Sequence, residues 1–257
     1  MHRAAYAELG LDWTYDAVEL SPEGLTGFVE GLDRDWRGLS LTMPLKRTIV
    51  PMVDTFDDWA RTSGVVNTLL LGDRRRLGFN TDIPGAMAAV VERLHDPVRT
   101  AVVLGGGATA TSVLLALGEL GCERAEILVR DPARAGETVA ALETHPRAPR
   151  VTVGRLDDAS DQLGRLGADL VVSTIPASAQ TPALLAACAG VPAVFEVVYD
   201  PWLTPLLRSA RDSGRPSVGG LDLLGHQAVL QVEIMTGRSV GVDLLRSAAR
   251  TELARRG

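Results

Sequence analysis

The sequence predicts an α/β protein in two units, one of them a doubly wound parallel sheet with helices on both faces. From residue 97 to about 220, short β-branched apolar runs alternate with helical segments, as in parallel strands joined by crossover helices. The predicted strands are TAVVL before a glycine turn, 125–130, 168–174 and 192–199, and the predicted helices are 108–120, 132–142 and 182–189. The second unit precedes this region, with predicted strands at 14–20, 37–42, 65–71 and 76–80.

The boundary between the units is predicted at HDPVR (95–99), because Pro97 ends a helix and a strand follows. Two terminal helices, at 222–236 and 241–255, are expected to fold back on the first unit. The predicted domains are therefore 1–96 with 222–257, and 97–221, separated by a cleft. GDRR (72–75) is predicted as a hairpin turn. The charged, proline-rich residues 143–160 show no pattern, and THPRAPR within them is predicted to be a surface loop.

The composition argues against several classes of protein. A net charge of -6 and no run of Lys or Arg argue against nucleic-acid binding. No apolar run is long enough to cross a membrane, no charged and apolar leader is visible, and Cys122 and Cys188 have no paired spacing. The four histidines lack metal-ligand spacing, so no metal is expected. We expect a cytoplasmic protein that acts on a small molecule.

A glycine-rich turn lies between a predicted strand and a predicted helix. It matches the G-x-G-x-x-A fingerprint with Gly105, Gly106, Gly107, Ala108, Thr109 and Ala110. The glycines allow a tight turn and a close approach of backbone to a pyrophosphate, and the helix N-terminus favours an anion. The pattern predicts a Rossmann-type dinucleotide-binding domain; the alternative is a turn without a ligand.

The cofactor is predicted from the end of the second strand of this domain. LVRDPARA places Arg130 and Arg134 where the 2′-phosphate of NADP would lie, and guanidinium groups suit phosphate oxygens. The pattern favours NADP over NAD. Asp131 would repel that phosphate, unless it merely begins the next helix together with Pro132.

Two charged residues are candidates for proton transfer. Lys46 follows Pro44 in the first turn of a predicted helix, where the helix dipole makes an ammonium proton easier to release. Asp82 begins another predicted helix. Each has a simpler interpretation, since Lys46 fits a solvated lysine beside Arg47 and Asp82 fits a helix N-cap.

Six segments follow one another along the chain: LTMPLK, GVVNTLL, GFNTDIPG, the glycine turn, EVVYDPWLTPLL and GLDLLGHQA. Their order and approximate spacing resemble those of the shikimate dehydrogenase family, and the resemblance covers nearly the whole chain. The resemblance implies reversible hydride transfer between NADPH and 3-dehydroshikimate, giving shikimate. We expect a monomer or homodimer, and the composition predicts no nucleic-acid or membrane partner. The resemblance also implies that Lys46 and Asp82 form the catalytic pair. From its position at a helix start, Asp82 is also expected to cap its helix. The resemblance further implies substrate contacts by Thr42, Asn67, Tyr199 and Gln227, and cofactor contacts by the glycine turn, Arg130, Arg134, Thr174 and Gly220.

The resemblance is incomplete at the start of the chain. The family opens with a strand and a G-x-P-x-x-H-S-x-S-P-x-x-H segment whose serines bind the substrate carboxylate, and here His2 stands in the place of the last His. We therefore expect a substrate domain that lacks its first strand, with lower stability and weaker substrate binding. Two alternatives stay open: a quinate/shikimate-like dehydrogenase that uses NAD, and a catalytically impaired paralogue that only binds cofactor.

Overall fold

The computed structural model describes residues 1–72 and 75–256. The chain divides into two compact units, one of Met1–Gly85 with Gly225–Gly257 and one of Ala86–Leu224. This division falls earlier than the boundary at 95–99. The assignment of 1–96 with 222–257 to one functional domain, and of 97–221 to the other, stays a prediction.

The secondary structure is given in chain order. The strands are β1 (Gly38–Ser40), β2 (Thr55–Phe56), β3 (Thr68–Leu71), β4 (Arg76–Phe79), β5 (Thr100–Leu104), β6 (Arg124–Val129), β7 (Arg150–Arg155), β8 (Leu170–Ser173), β9 (Ala193–Glu196) and β10 (Ser217–Val218). The α-helices are α1 (His2–Glu8), α2 (Leu25–Glu30), α3 (Leu45–Thr48), α4 (Asp58–Ser63), α5 (Asp82–Arg93), α6 (Ala108–Glu119), α7 (Gly136–Glu143), α8 (Ala159–Leu166), α9 (Pro182–Cys188), α10 (Pro205–Asp212), α11 (Gly220–Thr236) and α12 (Val242–Arg256).

The first unit contains a four-stranded sheet in the order β1-β3-β4-β2. Strand β3 runs antiparallel to β1 and β4, and β2 runs parallel to β4. The apolar side chains of this sheet pack with α2, α3 and α4 in one core, which includes Leu25, Val29, Leu45, Ile49, Ala60 and Leu69. Predicted strands at 37–42, 65–71 and 76–80 are thereby confirmed. The tip of their hairpin, at residues 73 and 74, lies outside the described residues.

The predicted strand at 14–20 is wrong. Residues 11–20 form no regular secondary structure, and the carbonyl of Tyr15 accepts a hydrogen bond from Arg3 Nε at 2.7 Å. This segment and β1 both line a groove of about 1550 Å³. An alternating apolar pattern becomes a strand only when a neighbouring strand supplies hydrogen bonds, and TYDAVEL has no such neighbour among the described residues.

The second unit contains a six-stranded, wholly parallel sheet in the order β10-β9-β8-β5-β6-β7. Chain order along this sheet reverses between β5 and β8, which is the arrangement of a doubly wound dinucleotide-binding fold. All five residues of β5 are buried, as expected for an apolar run covered on both faces. The predicted α/β class and its parallel strands are confirmed.

The region 143–160 is more ordered than its sequence suggests. The residues just before Arg150 form a loop. Strand β7 then begins at Arg150 and forms the edge of the sheet beside β6. Only the two ends of β7, Arg150 and Arg155, are charged, which suits an exposed edge strand.

Two features of the described residues concern membrane-spanning helices and metal-binding clusters. None of their helices combines the length and apolar character that a membrane-spanning helix needs. They contain no cluster of three or more His, Cys, Asp or Glu side chains able to hold a metal ion.

His2 should make the stability of the first unit depend on pH. Burial lowers its pKa from 6.5 to about 4, helped by the nearby N-terminal amine and opposed by a hydrogen bond with Gln231. Between about pH 4 and 6.5 the unfolded chain therefore binds a proton that the folded chain does not. We expect the free energy of unfolding to fall as pH drops through this window, by at most about 3 kcal/mol.

Urea unfolding at pH 7 and pH 5 measures this effect. The His2→Phe variant is the control, because it keeps a ring stacked on Tyr15, where the centroids are 4.1 Å apart, and cannot titrate. The loss of stability on acidification should be smaller in the variant than in the unsubstituted protein. Equal losses in the two proteins would remove His2 as the cause.

Candidate active site

Lys46 and Asp82, far apart in the chain, form a buried ion pair in the first unit. Lys46 lies in α3 and Asp82 opens α5, and Lys46 Nζ donates to Asp82 Oδ2 at 2.6 Å. Lys46 is 9% exposed and Asp82 1% exposed. Charges removed from water in this way are costly unless each is paired, and removing one partner typically costs about 3–5 kcal/mol. The arrangement holds a proton donor in a fixed position beside an acceptor.

Asn67 connects this pair to its surroundings. It is fully buried, and its Nδ2 donates to Asp82 Oδ1 at 2.8 Å and to Thr81 Oγ1 at 2.9 Å. Its Oδ1 accepts from the backbone N–H of Thr81 at 2.9 Å. Each carboxylate oxygen of Asp82 therefore has its own donor, and the ring of contacts leaves Asp82 little freedom to rotate.

The expected capping role of Asp82 is wrong. Its carboxylate is engaged by Lys46 and Asn67, and the side chain that caps α5 is Asn80. Asn80 Oδ1 accepts from the N–H groups of Asp82 at 3.0 Å and Ile83 at 3.3 Å. The sequence alone does not separate these roles, because Asn and Asp are equally good caps and lie two residues apart.

Gln227 reaches the same cluster from α11. Its Oε1 accepts from Asn67 Nδ2 at 3.0 Å. A Cβ at Gly85 would lie 2.9 Å from the backbone nitrogen of Gln227, so glycine is needed for the two backbones to approach so closely. Gln231, one turn further along α11, donates to Thr68 Oγ1 at 2.9 Å and accepts from Ser40 Oγ at 3.0 Å. Sequence reasoning missed Gln231, although its spacing of four from Gln227 was a signal.

Thr42 is placed less tightly than the other predicted residues. It is exposed between β1 and α3, and its carbonyl accepts from the backbone N–H of Leu45 at 2.8 Å. Helix α3 has only four residues, so it contributes little of the dipole expected to act on Lys46. The position of Lys46 depends instead on Asp82 and on its own carbonyl, which accepts from Val66 N at 2.9 Å.

In the second unit, the glycine turn connects β5 to α6. Gly105 has φ of 104°, a left-handed conformation, and a Cβ there would collide with Thr174 Oγ1. Thr174 in turn donates through Oγ1 to the carbonyl of Leu104 at 2.9 Å. A Cβ at Gly106 would meet Ala135 at 3.2 Å, whereas at Gly107 it would meet nothing within 4 Å. Gly107 is the N-cap of α6, and no side chain there accepts from the N–H groups of the first helical turn. These N–H groups can therefore donate to a pyrophosphate at the helix N-terminus.

Ala108 and Thr109 form the first turn of α6, and Arg130 and Arg134 lie exposed after β6, the neighbour of β5. Asp131 between these arginines accepts from the backbone N–H of Ala133 at 3.1 Å and is the N-cap of the short 3₁₀ helix Pro132–Ala135. The alternative interpretation of Asp131 as a helix-starting residue is confirmed.

Tyr199 and Gly220 lie on neighbouring segments of the second unit. Tyr199 is 40% exposed on the loop after β9. A Cβ at Gly220 would lie 2.6 Å from the carbonyl oxygen of Val197, so only glycine fits beside this loop. Asp222, which sequence reasoning missed, accepts from Gly219 N at 2.9 Å and from Arg93 Nη2 at 2.7 Å.

The strand order and glycine turn define a protein with a Rossmann-type dinucleotide-binding unit. A family model described as "Shikimate dehydrogenase substrate binding domain" matches residues 1–69. A curated relative from Moorella thermoacetica, "Shikimate dehydrogenase (NADP(+))", is 34% identical over 252 residues, which cover 95% of this chain and 85% of the relative. The chain belongs to the shikimate dehydrogenase family.

Two solved structures extend this likeness to three dimensions. The shikimate dehydrogenase of Mycobacterium tuberculosis superimposes with a TM-score of 0.84 at 32% identity, covering 96% of this chain and 92% of the other. The shikimate 5-dehydrogenase of Thermus thermophilus in complex with NADP(H) and shikimate has a TM-score of 0.79 at 30% identity, covering 97% of this chain and 92% of the other.

Substitutions in the glycine turn should separate folding from cofactor binding. Gly105→Ala places a methyl group at a positive φ and against Thr174, so it should cost about 1–3 kcal/mol of stability and weaken NADP binding. Gly107→Ala is the matched control, since its methyl group meets no protein atom. It should leave the melting temperature unchanged and still weaken NADP binding, measured by calorimetric titration. Undiminished binding in both variants would exclude this turn as the pyrophosphate site.

Proposed function

We propose that this chain catalyses the reversible NADP-dependent interconversion of shikimate and 3-dehydroshikimate. The observation that carries the proposal is the buried contact of Lys46 with Asp82. A purely structural role does not require a buried ion pair, since well-packed apolar residues of similar size often stabilise a protein as much as the ion pair does. The names of the relatives, and the NADP(H) and shikimate in complex with the Thermus thermophilus enzyme, support the same reaction.

The proposed division of labour follows the two units. The first unit binds substrate, as supported by the description of the family that matches residues 1–69. The second binds NADP through Gly105, Gly106, Gly107 and the start of α6 at Ala108 and Thr109. Thr174 supports the turn from β8, and Arg130 and Arg134 would take the 2′-phosphate. Gly220 offers backbone close to the nicotinamide.

Proton transfer is assigned to Lys46. The bound nicotinamide supplies or accepts the hydride. When 3-dehydroshikimate is reduced, its carbonyl oxygen gains negative charge, and the ammonium of Lys46 donates the proton that neutralises it. Asp82 orients that ammonium and stabilises its positive charge, and Asn67 holds Asp82. We assign substrate hydrogen bonds to Asn67 and Gln227, which contact each other in this cluster, and also to Thr42 and Tyr199.

A spectrophotometric assay tests the reaction directly. Shikimate and NADP are mixed with the protein, and NADPH formation is followed by its absorbance. Parallel assays with NAD and with quinate distinguish an enzyme of broader specificity. Binding of NADP without turnover of either acid would identify a cofactor-binding protein and contradict the proposal.

Lys46→Ala should lower kcat by on the order of 10²-fold or more, with a smaller change in KM, because an acid acting in the transition state is lost. Lys46→Met is measured beside it, since it fills more of the space left by the lysine stem. Arg47→Ala is the control: it removes the adjacent cation, so its kcat should stay near that of the unsubstituted protein. Circular dichroism establishes that each variant is folded. An unchanged kcat in both Lys46 variants would remove Lys46 from the mechanism.

Arg130→Ala, alone and with Arg134→Ala, should raise KM for NADP roughly 10-fold or more and leave KM for NAD nearly unchanged, because only NADP carries the phosphate that these guanidinium groups would bind. Arg99→Ala is a matched control, as Arg99 is also exposed in the second unit but pairs with Glu123 at 3.3 Å. Equal changes for the two cofactors would show that the arginines do not select the phosphate.

A further inference from the structure

The proposed proton transfer does not use the carboxylate of Glu196, which lies at the end of β9. Glu196 is fully buried. Its Oε1 accepts from Val198 N at 3.0 Å, and its Oε2 accepts from Thr204 Oγ1 at 2.8 Å and Gln180 Nε2 at 2.6 Å. Among the described residues, no Lys or Arg pairs with it. An unpaired buried charge is costly, so such a carboxylate calls for an explanation.

Two of these donors, Val198 and Thr204, lie near the two ends of one loop. We call residues 197–204 the Tyr199 loop. Val198 is near its beginning and Thr204 is its last residue, where the hydroxyl also caps α10 by accepting from Leu207 N at 3.3 Å. A single carboxylate therefore closes the loop that carries Tyr199.

Gln180 holds the carboxylate in one orientation. Its Oε1 accepts from Leu206 N at 2.9 Å, so its Nε2 must face Glu196 and Ser173, whose Oγ lies at 3.2 Å. An amide flip would set two donors against each other at Leu206. Ser173 immediately precedes Thr174, the residue that supports the glycine turn. The network thus connects the Tyr199 loop to the segment after β8.

The beginning of the Tyr199 loop also faces Gly220. The carbonyl oxygens of Val197 and Val198 lie within 2.6 and 2.8 Å of the position that a Cβ on Gly220 would occupy. Because Gly220 has no side chain, its backbone lies directly against these carbonyl groups. A shift of the backbone at Val198 would therefore change the space beside Gly220 directly.

The local chemistry favours a group that only accepts hydrogen bonds. Burial raises the pKa of the Glu196 carboxyl, and hydrogen bonds from Val198, Thr204, Gln180 and Ser173 oppose that rise. The donors on Val198, Thr204 and Gln180 point at the two carboxylate oxygens, and the backbone N–H of Val198 cannot turn away.

We propose that Glu196 is a positioning residue that holds both ends of the Tyr199 loop, and so sets where Tyr199 and the backbone beside Gly220 stand during the reaction. The part that concerns turnover rests on the proposed function. Anchoring of the loop is a separate claim that can be measured without activity.

Glu196→Gln is the principal variant. It preserves size but replaces one acceptor oxygen with an NH₂ group, which must oppose either Val198 N or the donors on the other side. We expect kcat/KM for shikimate to fall on the order of 10- to 100-fold, since small misplacements of binding groups have effects of this size. Affinity for NADP alone should change less than about threefold, because the glycine turn is not altered.

Glu126→Gln is the matched control, as Glu126 is a buried carboxylate in β6 of the same sheet, remote in sequence from the loop. It should lose stability with little change in kinetics. Thr204→Ala removes both the hydrogen bond to Glu196 and the side-chain cap of α10, and it gives a second measurement if Glu196→Gln fails to fold. Thr204→Ser restores the hydroxyl and should recover most of the lost kcat/KM, which a general loss of stability would not explain.

Hydrogen exchange of residues 197–204 is measured on all variants together with kcat and KM. Faster exchange of the loop by roughly 10-fold in Glu196→Gln or Thr204→Ala, with lower kcat/KM, supports the proposal. Unchanged exchange relative to Glu126→Gln overturns it, and so does faster exchange with unaltered kinetics. If the unsubstituted protein forms no NADPH, the proposed function fails, and faster exchange would still establish that Glu196 anchors the loop.

Discussion

The structure of the first unit depends on one buried ion pair, that of Lys46 and Asp82. Lys46 and Asp82 can be buried only because each finds the other, and because Asn67 donates to the second oxygen of Asp82. These contacts bring together the segment after β1, the start of β3 and the start of α5, with Gln227 of α11 joined through Asn67. The same contacts hold an ammonium in one orientation, which is what an acid in hydride-transfer chemistry needs. The stability of the unit and the proposed catalysis therefore both require that Lys46 and Asp82 stay paired in this geometry.

The second unit is governed by a different constraint, which is the geometry of a parallel sheet. The carboxyl ends of its strands meet at one edge, so the segments after β5, β8 and β9 are neighbours although they are far apart in the chain. These segments carry Gly105, Thr174 and Tyr199. The first two touch, since a Cβ at Gly105 would collide with Thr174 Oγ1. The network around Glu196 orders the third and connects it to the residue before Thr174.

Much of this architecture is predictable where a local pattern and the tertiary environment agree. The strand β5 is apolar at consecutive positions and is buried on both faces, and Gly105 directly after it has a positive φ that suits few other residues. The segments 14–20 and 150–155 differ from expectation for opposite reasons. Residues 14–20 alternate like a strand but have no strand to pair with among the described residues. Residues 150–155 have Arg at both ends and follow a proline-rich segment without a pattern, yet β6 offers an edge that pairs with them.

The sequence by itself determined the α/β class, the parallel strands, the position of the glycine turn and the order of the motifs that relate this chain to its family. These properties depend on residues that are close together in the chain, because periodicity and turn preferences are local features of a sequence. Tertiary structure alone decided that Asn80, and not Asp82, caps α5, that Gln231 joins Gln227, and that Glu196 closes a loop. Such roles depend on which donors and acceptors meet across large separations in the chain, and a buried polar atom takes the partner that folding brings to it.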